Sequence, residues 1–171
     1  SGEKDFELQS RFNEIDSMGT NLLRFAYYLK NSHHPLTAII SGENNKAAFT
    51  FTNRECFHAN YFKIANKIDA ARHFCLTHNC NLKEIAFVFD DVLDLSIAKE
   101  CGLRIFIARN SAPHFANYVI KNKLADIVIY ATPGSNPVRH ICEELINAYG
   151  LFKEVIAQRT VFSDKYKNYI E

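Results

Sequence analysis

Three carboxylates follow an apolar run near the middle of the chain. The run covers residues 85–89, and Asp90, Asp91 and Asp94 come directly after it. Its length and its β-branched and aromatic residues predict a strand buried on both faces of a sheet. The acids would then lie at the carboxyl end of an interior strand, where open α/β sheets bind ligands. Because clustered carboxylates repel one another, a hard divalent cation such as Mg²⁺ would stabilise them through oxygen ligands.

The same acids also suit the start of a helix. Asp90 or Asp91 would cap the helix that follows, and the other carboxylates would lie near its positive end. The local sequence leaves two alternatives open, a helix cap and a site for a metal or phosphate.

Two further predicted strand ends carry polar groups. Ser41 and Gly42 follow the predicted strand at residues 36–40, and a hydroxyl with free backbone amides suits a phosphate oxygen, although the pair alone is more typical of a simple turn. Lys67 lies near a predicted helix start, where a cation opposes the helix dipole unless an anion is bound. Alone it is more typical of an exposed helix lysine. Together, hydroxyl, lysine and carboxylates indicate phosphoryl chemistry, whose main task is to balance phosphate charge.

Composition excludes several other classes of protein. The 171 residues suit one domain with a substantial core, and 47% hydrophobic content argues against disorder. The net charge of +1 does not indicate a nucleic-acid or membrane-surface partner. No apolar run approaches a membrane span, and we expect no signal peptide. The five scattered cysteines form no Cys-x-x-Cys pair, which favours a reducing, cytoplasmic setting.

Predicted strands alternate with amphipathic helices along the chain. The strands are predicted at residues 6–12, 36–40, 56–57, 85–89, 103–108 and 127–130. The helices are predicted at residues 17–30, 44–51, 64–78, 92–100, 113–121 and 138–149, with one more in the tail after residue 150. Gly102 is predicted to end the helix at 92–100 in the C-terminal glycine position. This alternation implies a three-layer α/β domain with a parallel sheet.

Several segments carry a resemblance to a known family. They are FNEIDSMGTNLL at residues 12–23, AIISG at 38–42, the pair Asn66-Lys67, FDDVLD at 89–94, CGL at 101–103, and the pair Val138-Arg139. In order and spacing the chain resembles haloacid dehalogenase phosphatases, most nearly those acting on 3-deoxy-D-manno-octulosonate 8-phosphate and acylneuraminate 9-phosphate. The resemblance implies a Rossmann-like domain over residues 1–171. Its parts would be a β-hairpin flap arm at 1–13, a core at 14–150 and a helical tail at 151–171.

The resemblance also implies roles for individual residues. Ser41 would hydrogen-bond the phosphoryl group, Lys67 would balance its charge, and Asp90 would bind Mg²⁺ directly with Asp91 and Asp94 in support. The matching segments place Gly42, Asp16 and Arg139 at the substrate. The implied activity is Mg²⁺-dependent hydrolysis of a phosphorylated sugar acid, in a homotetramer whose flaps cap neighbouring sites.

Some positions depart from the family pattern. The first motif, D-x-D-G, supplies the nucleophile and the acid/base, and it does not occur in the 171 residues. The matching segments place it before Ser1. Glu43 and Phe89 stand where the family has arginine and glycine, and His140 stands where it has glutamate.

Two other functions therefore stay open. The first is a non-catalytic module of the same fold, similar to the oligomerisation domain of animal CMP-sialic acid synthetases. The second is a phosphoacceptor receiver domain, but receivers divide their acids between two strand ends, whereas all three acids here follow one strand.

Overall fold

The computed structural model describes residues 14–171, which form eight α-helices and five strands. The helices are α1 (Glu14–Asn31), α2 (Lys46–Arg54), α3 (Lys67–His78), α4 (Leu95–Ala98), α5 (Pro113–Lys121), α6 (Pro137–Ala148), α7 (Phe152–Thr160) and α8 (Asp164–Ile170). The strands are β1 (Ala38–Ile40), β2 (Ala59–Tyr61), β3 (Ala86–Phe89), β4 (Leu103–Arg109) and β5 (Ile127–Ala131). The predicted strand at residues 6–12 lies outside the described residues.

The chain divides into two compact units. One unit holds all five strands and covers Thr37–Pro137. The other is helical and joins residues 14–36 to Val138–Glu171. No helix between residues 14 and 171 is both long enough and apolar enough to cross a membrane.

The strands form two parallel sheets. β1 pairs with β2, and β3, β4 and β5 pair in that order. The predicted α/β class with parallel strands is confirmed. Since parallel strands all point the same way, the residues that follow them within a sheet lie at one edge.

Side chains of β3 and β4 build a core cluster of the strand unit, and the four β4 residues 105–108 are all buried. Phe89 is 2% exposed and its ring lies 5.1 Å from the ring of Phe106. Phe87 packs on the same group of residues. The opposite face of β3 is open, because Ala86 is exposed and Val88 is 40% exposed. The prediction that this strand is buried on both faces is therefore wrong, since its side chains alternate between core and surface.

The helical unit has an aromatic core. Phe25 of α1 is fully buried, with Tyr166 and Tyr169 of α8 at ring distances of 5.0 and 5.3 Å. The Tyr166 hydroxyl donates a hydrogen bond to Asn21 Oδ1 at 3.0 Å. Tyr166 and Tyr169 of the tail therefore belong to the core of the helical unit. The tail forms two helices rather than the single one predicted, because Ser163 caps α8 by accepting a hydrogen bond from Tyr166 N–H.

Several predicted boundaries are wrong for local reasons. α1 begins at Glu14, three residues before the start predicted at Ser17, so Ser17 lies inside the helix and cannot cap it. Cys56 has a left-handed φ of 52°, which delays β2 until Ala59. The predicted helix at 92–100 begins as a 3₁₀ turn, Val92–Asp94, and its α-helical part is only Leu95–Ala98.

Gly102 has a different role from the one predicted. The glycines with positive φ are Gly134 and Gly150, so Gly102 does not end a helix in the left-handed conformation. A Cβ at position 102 would lie 1.9 Å from the carbonyl oxygen of Lys83. The glycine is needed because two backbone segments approach each other closely there.

Candidate active site

Lys67 and Asp94 form a buried ion pair at the carboxyl end of β3. Lys67 Nζ donates a hydrogen bond to Asp94 Oδ1, and the two side chains are 11% and 7% exposed. Lys67 is the first residue of α3, where a cation opposes the helix dipole. The Asp94 carboxylate is thus the anion that makes a lysine favourable at this helix start.

Asp91 and Asp94 cap the 3₁₀ turn that follows β3. Asp91 Oδ1 accepts a hydrogen bond from Val92 N–H at 2.6 Å. Asp94 Oδ2 accepts from the N–H groups of Asp91 at 3.2 Å and Asp90 at 3.4 Å. This reciprocal arrangement is a capping box. The capping alternative is therefore correct for Asp91, with Asp94 in the first turn as its capping-box partner, while Asp90 caps nothing in this arrangement.

Asp90 is held by an arginine from the neighbouring strand. Arg109 ends β4 and donates to Asp90 Oδ2 from Nε at 2.7 Å and from Nη2 at 2.6 Å. Arg109 is not among the site residues predicted from the sequence. Its signal is a basic residue at the carboxyl end of the strand that pairs with β3. That signal can be read only when the strand order is known.

Ser41 and Gly42 form a tight turn after β1. Ser41 N–H donates to Tyr61 O at 2.8 Å, so this amide is not free to bind a phosphate, contrary to prediction. Ser41 Oγ accepts from Glu43 N–H at 3.2 Å, which leaves its own O–H able to donate to an anion. A Cβ at Gly42 would lie 3.8 Å from Ile64 O and 3.9 Å from Leu93 Cδ1. The turn therefore lies beside the 3₁₀ turn that contains Asp94.

Asp16 and Arg139 meet in the helical unit. Asp16 Oδ1 accepts a hydrogen bond from Arg139 N–H at 2.9 Å, and the Arg139 side chain pairs with Glu143 at 2.6 Å. Arg139 lies in the first turn of α6, whose N–H groups have no partner within the helix. A carboxylate from α1 thus caps α6, which explains the pairing without a substrate. A substrate-binding role for these two residues stays a prediction.

Removing this cap has a defined cost. Asp16→Ala is expected to lower the free energy of unfolding by about 1–2 kcal/mol, because Arg139 N–H and the α6 dipole lose their acceptor. Urea denaturation followed by circular dichroism measures the loss. Asp16→Asn keeps an acceptor oxygen and should lose less, and equal losses in both variants would contradict the capping role.

The buried thiols are poor candidates for a nucleophile. Burial raises the pKa of Cys142 to about 12. Burial, followed by a hydrogen bond with Cys80, raises the pKa of Cys75 to about 11. Because the thiolate is the reactive form, these two residues are inert near neutral pH.

Comparison with solved structures identifies the fold. A protein from Legionella pneumophila, assigned to hydrolase subfamily III A of the haloacid dehalogenase superfamily, has a TM-score of 0.68 and 25% identity over 87% of this chain and 74% of its own. The 3-deoxy-D-manno-octulosonate 8-phosphate phosphatase of Moraxella catarrhalis, with magnesium, phosphate and the sugar acid bound, has a TM-score of 0.66 and 22% identity over 84% and 75%. The cobalt-bound deoxy-D-mannose-octulosonate 8-phosphate phosphatase of Haemophilus influenzae has a TM-score of 0.61 and 17% identity over 81% of this chain and 72% of its own.

The chain has the haloacid dehalogenase fold. The resemblance predicted from the sequence is confirmed at this level. No protein-family model matches the chain, and no curated protein matches its sequence.

The haloacid dehalogenase fold implies a divalent cation at the acids, but the described residues do not fit one by themselves. Asp91 is engaged as a cap, Asp94 is engaged with Lys67 and two amides, and Asp90 is engaged with Arg109. Within residues 14–171 no three His, Cys, Asp or Glu side chains are grouped so that they could hold a metal. Mg²⁺ prefers near-octahedral oxygen coordination, which this arrangement does not offer.

Proposed function

We propose that this chain forms the phosphate-binding part of a phosphomonoester hydrolase of the haloacid dehalogenase type, whose substrate is a phosphorylated sugar acid. The buried Lys67–Asp94 pair beside Asp90 carries the proposal. The Asp94 carboxylate, which also takes part in the capping box of the 3₁₀ turn, holds the Lys67 ammonium group at the strand end where a phosphoryl group would enter. The Ser41 hydroxyl, in a turn beside the same 3₁₀ turn, can donate a second contact.

The attacking group in this proposal comes from outside the described residues. Hydrolysis in this class needs an aspartate that attacks phosphorus while the P–O ester bond breaks, followed by attack of water on the aspartyl-phosphate. Among residues 14–171, β3 pairs only with β4 and β1 only with β2. A further parallel strand on one of these remaining edges would bring its carboxyl end to the level of Asp90. A strand bearing the D-x-D-G motif, as the family pattern implies, would supply the nucleophile there.

Mg²⁺ is the cofactor that the resemblance implies, and the Moraxella catarrhalis enzyme contains it. When bound, such a cation balances charge on the phosphoryl oxygens. In this chain it would have to displace the Arg109 guanidinium from Asp90. The proposed mechanism therefore assigns charge balance first to Lys67.

A phosphate-release assay tests the proposal. The full-length protein is expected to release phosphate from phosphorylated sugar acids faster than from neutral sugar phosphates, measured with and without Mg²⁺. Lys67→Met should reduce the rate by at least about 100-fold, the usual size of an electrostatic contribution of this kind. Lys63→Met changes an exposed lysine of the preceding loop and should leave the rate unchanged. A folded full-length protein that releases no phosphate would contradict the proposal.

A second candidate function is a non-catalytic module that assembles with copies of itself. The Arg109–Asp90 pair favours it, because a carboxylate neutralised by arginine is poorly suited to binding a metal. This candidate and the hydrolase both predict a homotetramer. Light scattering after size-exclusion chromatography tests the assembly, and a stable monomer would contradict the tetramer.

A further inference from the structure

Arg109 occupies the position that a cation would take on Asp90. Two of its guanidinium nitrogens, Nε and Nη2, lie 2.7 and 2.6 Å from the same oxygen, Asp90 Oδ2. Both side chains are accessible from solvent, at 50% exposure for Arg109 and 38% for Asp90. The pair is therefore open to exchange with ions.

The other two acids cannot easily replace Asp90 as the first ligand of an ion. Asp94 is 7% exposed at its side chain and uses one oxygen for Lys67 and the other for two backbone amides. Asp91 uses one oxygen for the Val92 amide. Withdrawing either carboxylate would open the 3₁₀ turn, whereas withdrawing Asp90 from Arg109 breaks only a half-exposed ion pair.

A divalent ion on Asp90 would meet the positive charge of Arg109 at short range. Like charges a few ångströms apart repel strongly when solvent is partly excluded, and the effect doubles for a divalent ion. Lys67 adds a second cation at the same strand end. Asp90 and Asp94 therefore already have positive partners within the protein.

We infer that Arg109 is a built-in counter-ion of Asp90 that competes with divalent cations for this carboxylate. The natural protein then binds such cations weakly, and loss of the arginine charge uncovers a binding site on Asp90. The inference holds whether the protein hydrolyses phosphate esters or serves as a non-catalytic module, because cation binding is measured without a substrate. Its failure is thus distinguishable from failure of the proposed function.

The test is titration of Mn²⁺ into the full-length protein, with the free ion followed by electron paramagnetic resonance. Arg109→Gln is expected to bind Mn²⁺ at least about tenfold more tightly than the natural protein, which corresponds to about 1.4 kcal/mol of relieved repulsion. Adding Asp90→Asn to this variant should return binding to the natural level. Arg109→Met, which keeps the aliphatic stem, serves as a second neutral variant, and circular dichroism confirms that each protein is folded.

Two controls separate charge from other effects. Arg109→Lys keeps the positive charge, so it should bind Mn²⁺ as weakly as the natural protein. Arg104→Gln frees Asp126, another aspartate that pairs with an arginine of β4. It measures the effect of freeing a carboxylate outside the group Asp90, Asp91 and Asp94, and its gain in Mn²⁺ affinity should be smaller than that of Arg109→Gln. Equal Mn²⁺ affinity in the natural protein, Arg109→Gln and Arg109→Met would overturn the inference. So would a gain in affinity that persists when Asp90 is replaced.

Discussion

Replacing Lys67 with methionine is expected to lower the free energy of unfolding by about 3–5 kcal/mol, the usual cost of breaking a buried ion pair. The change would leave the Asp94 carboxylate, which is 7% exposed, without its cation. Asp94 cannot turn to solvent without giving up the amides of Asp90 and Asp91. Chemical denaturation followed by circular dichroism measures the loss.

The matched control is Lys63→Met, since Lys63 is exposed in the loop before α3. It should change stability by no more than about 0.5 kcal/mol, as surface substitutions usually do. The double variant Lys67→Met with Asp94→Asn removes both charges but keeps an acceptor oxygen for the amides. It should be more stable than Lys67→Met alone, and additive losses would show that the two residues are not coupled.

The second large effect is expected for Gly102→Ala, which should lower the free energy of unfolding by about 3 kcal/mol or more, as forced overpacking does. The new Cβ would lie 1.9 Å from the Lys83 oxygen and 2.8 Å from its carbonyl carbon. Both atoms belong to the backbone, so no side-chain rotation relieves the clash. The amide of Gly102 also donates to Ile85 O at 3.1 Å, which ties the start of β4 to the approach to β3.

Gly42→Ala is the control for this prediction. A Cβ there would make only ordinary contacts, at 3.8 Å or more, and Gly42 does not have a positive φ. Its effect on the free energy of unfolding should stay within about 1 kcal/mol, the usual difference between glycine and alanine. Equal urea midpoints of unfolding for Gly102→Ala and Gly42→Ala would contradict the close approach of the backbone at Gly102.

Elements with strong local signals were predicted well. α5 begins at Pro113 and ends at Lys121 as expected, because proline suits the first helical turn and the apolar residues follow the helical period. Lys67 was expected near a helix start and is the first residue of α3. The apolar residues of α3 at helical spacing, Ile68, Ala71, Phe74 and Cys75, are all buried.

Elements that depend on neighbours were predicted less well. The acids after β3 tighten the next turn into a 3₁₀ helix, which hydrophobic periodicity does not reveal. Phe89 stands where the family has glycine, and its ring packs on Phe106 in the core. The direction of that side chain follows from the pleat of β3 once β4 is beside it.

The sequence alone determined the α/β class and the placement of polar residues at strand ends, because apolar periodicity and helix signals are local. Only the tertiary structure decided which polar groups meet. Lys67 and Asp94 are separated by 27 positions, and Asp90 and Arg109 by 19. Such pairs depend on which strands are neighbours and in what register, which short-range patterns do not encode. The physical consequence is that a group of acids typical of a metal site already has its cations in Lys67 and Arg109.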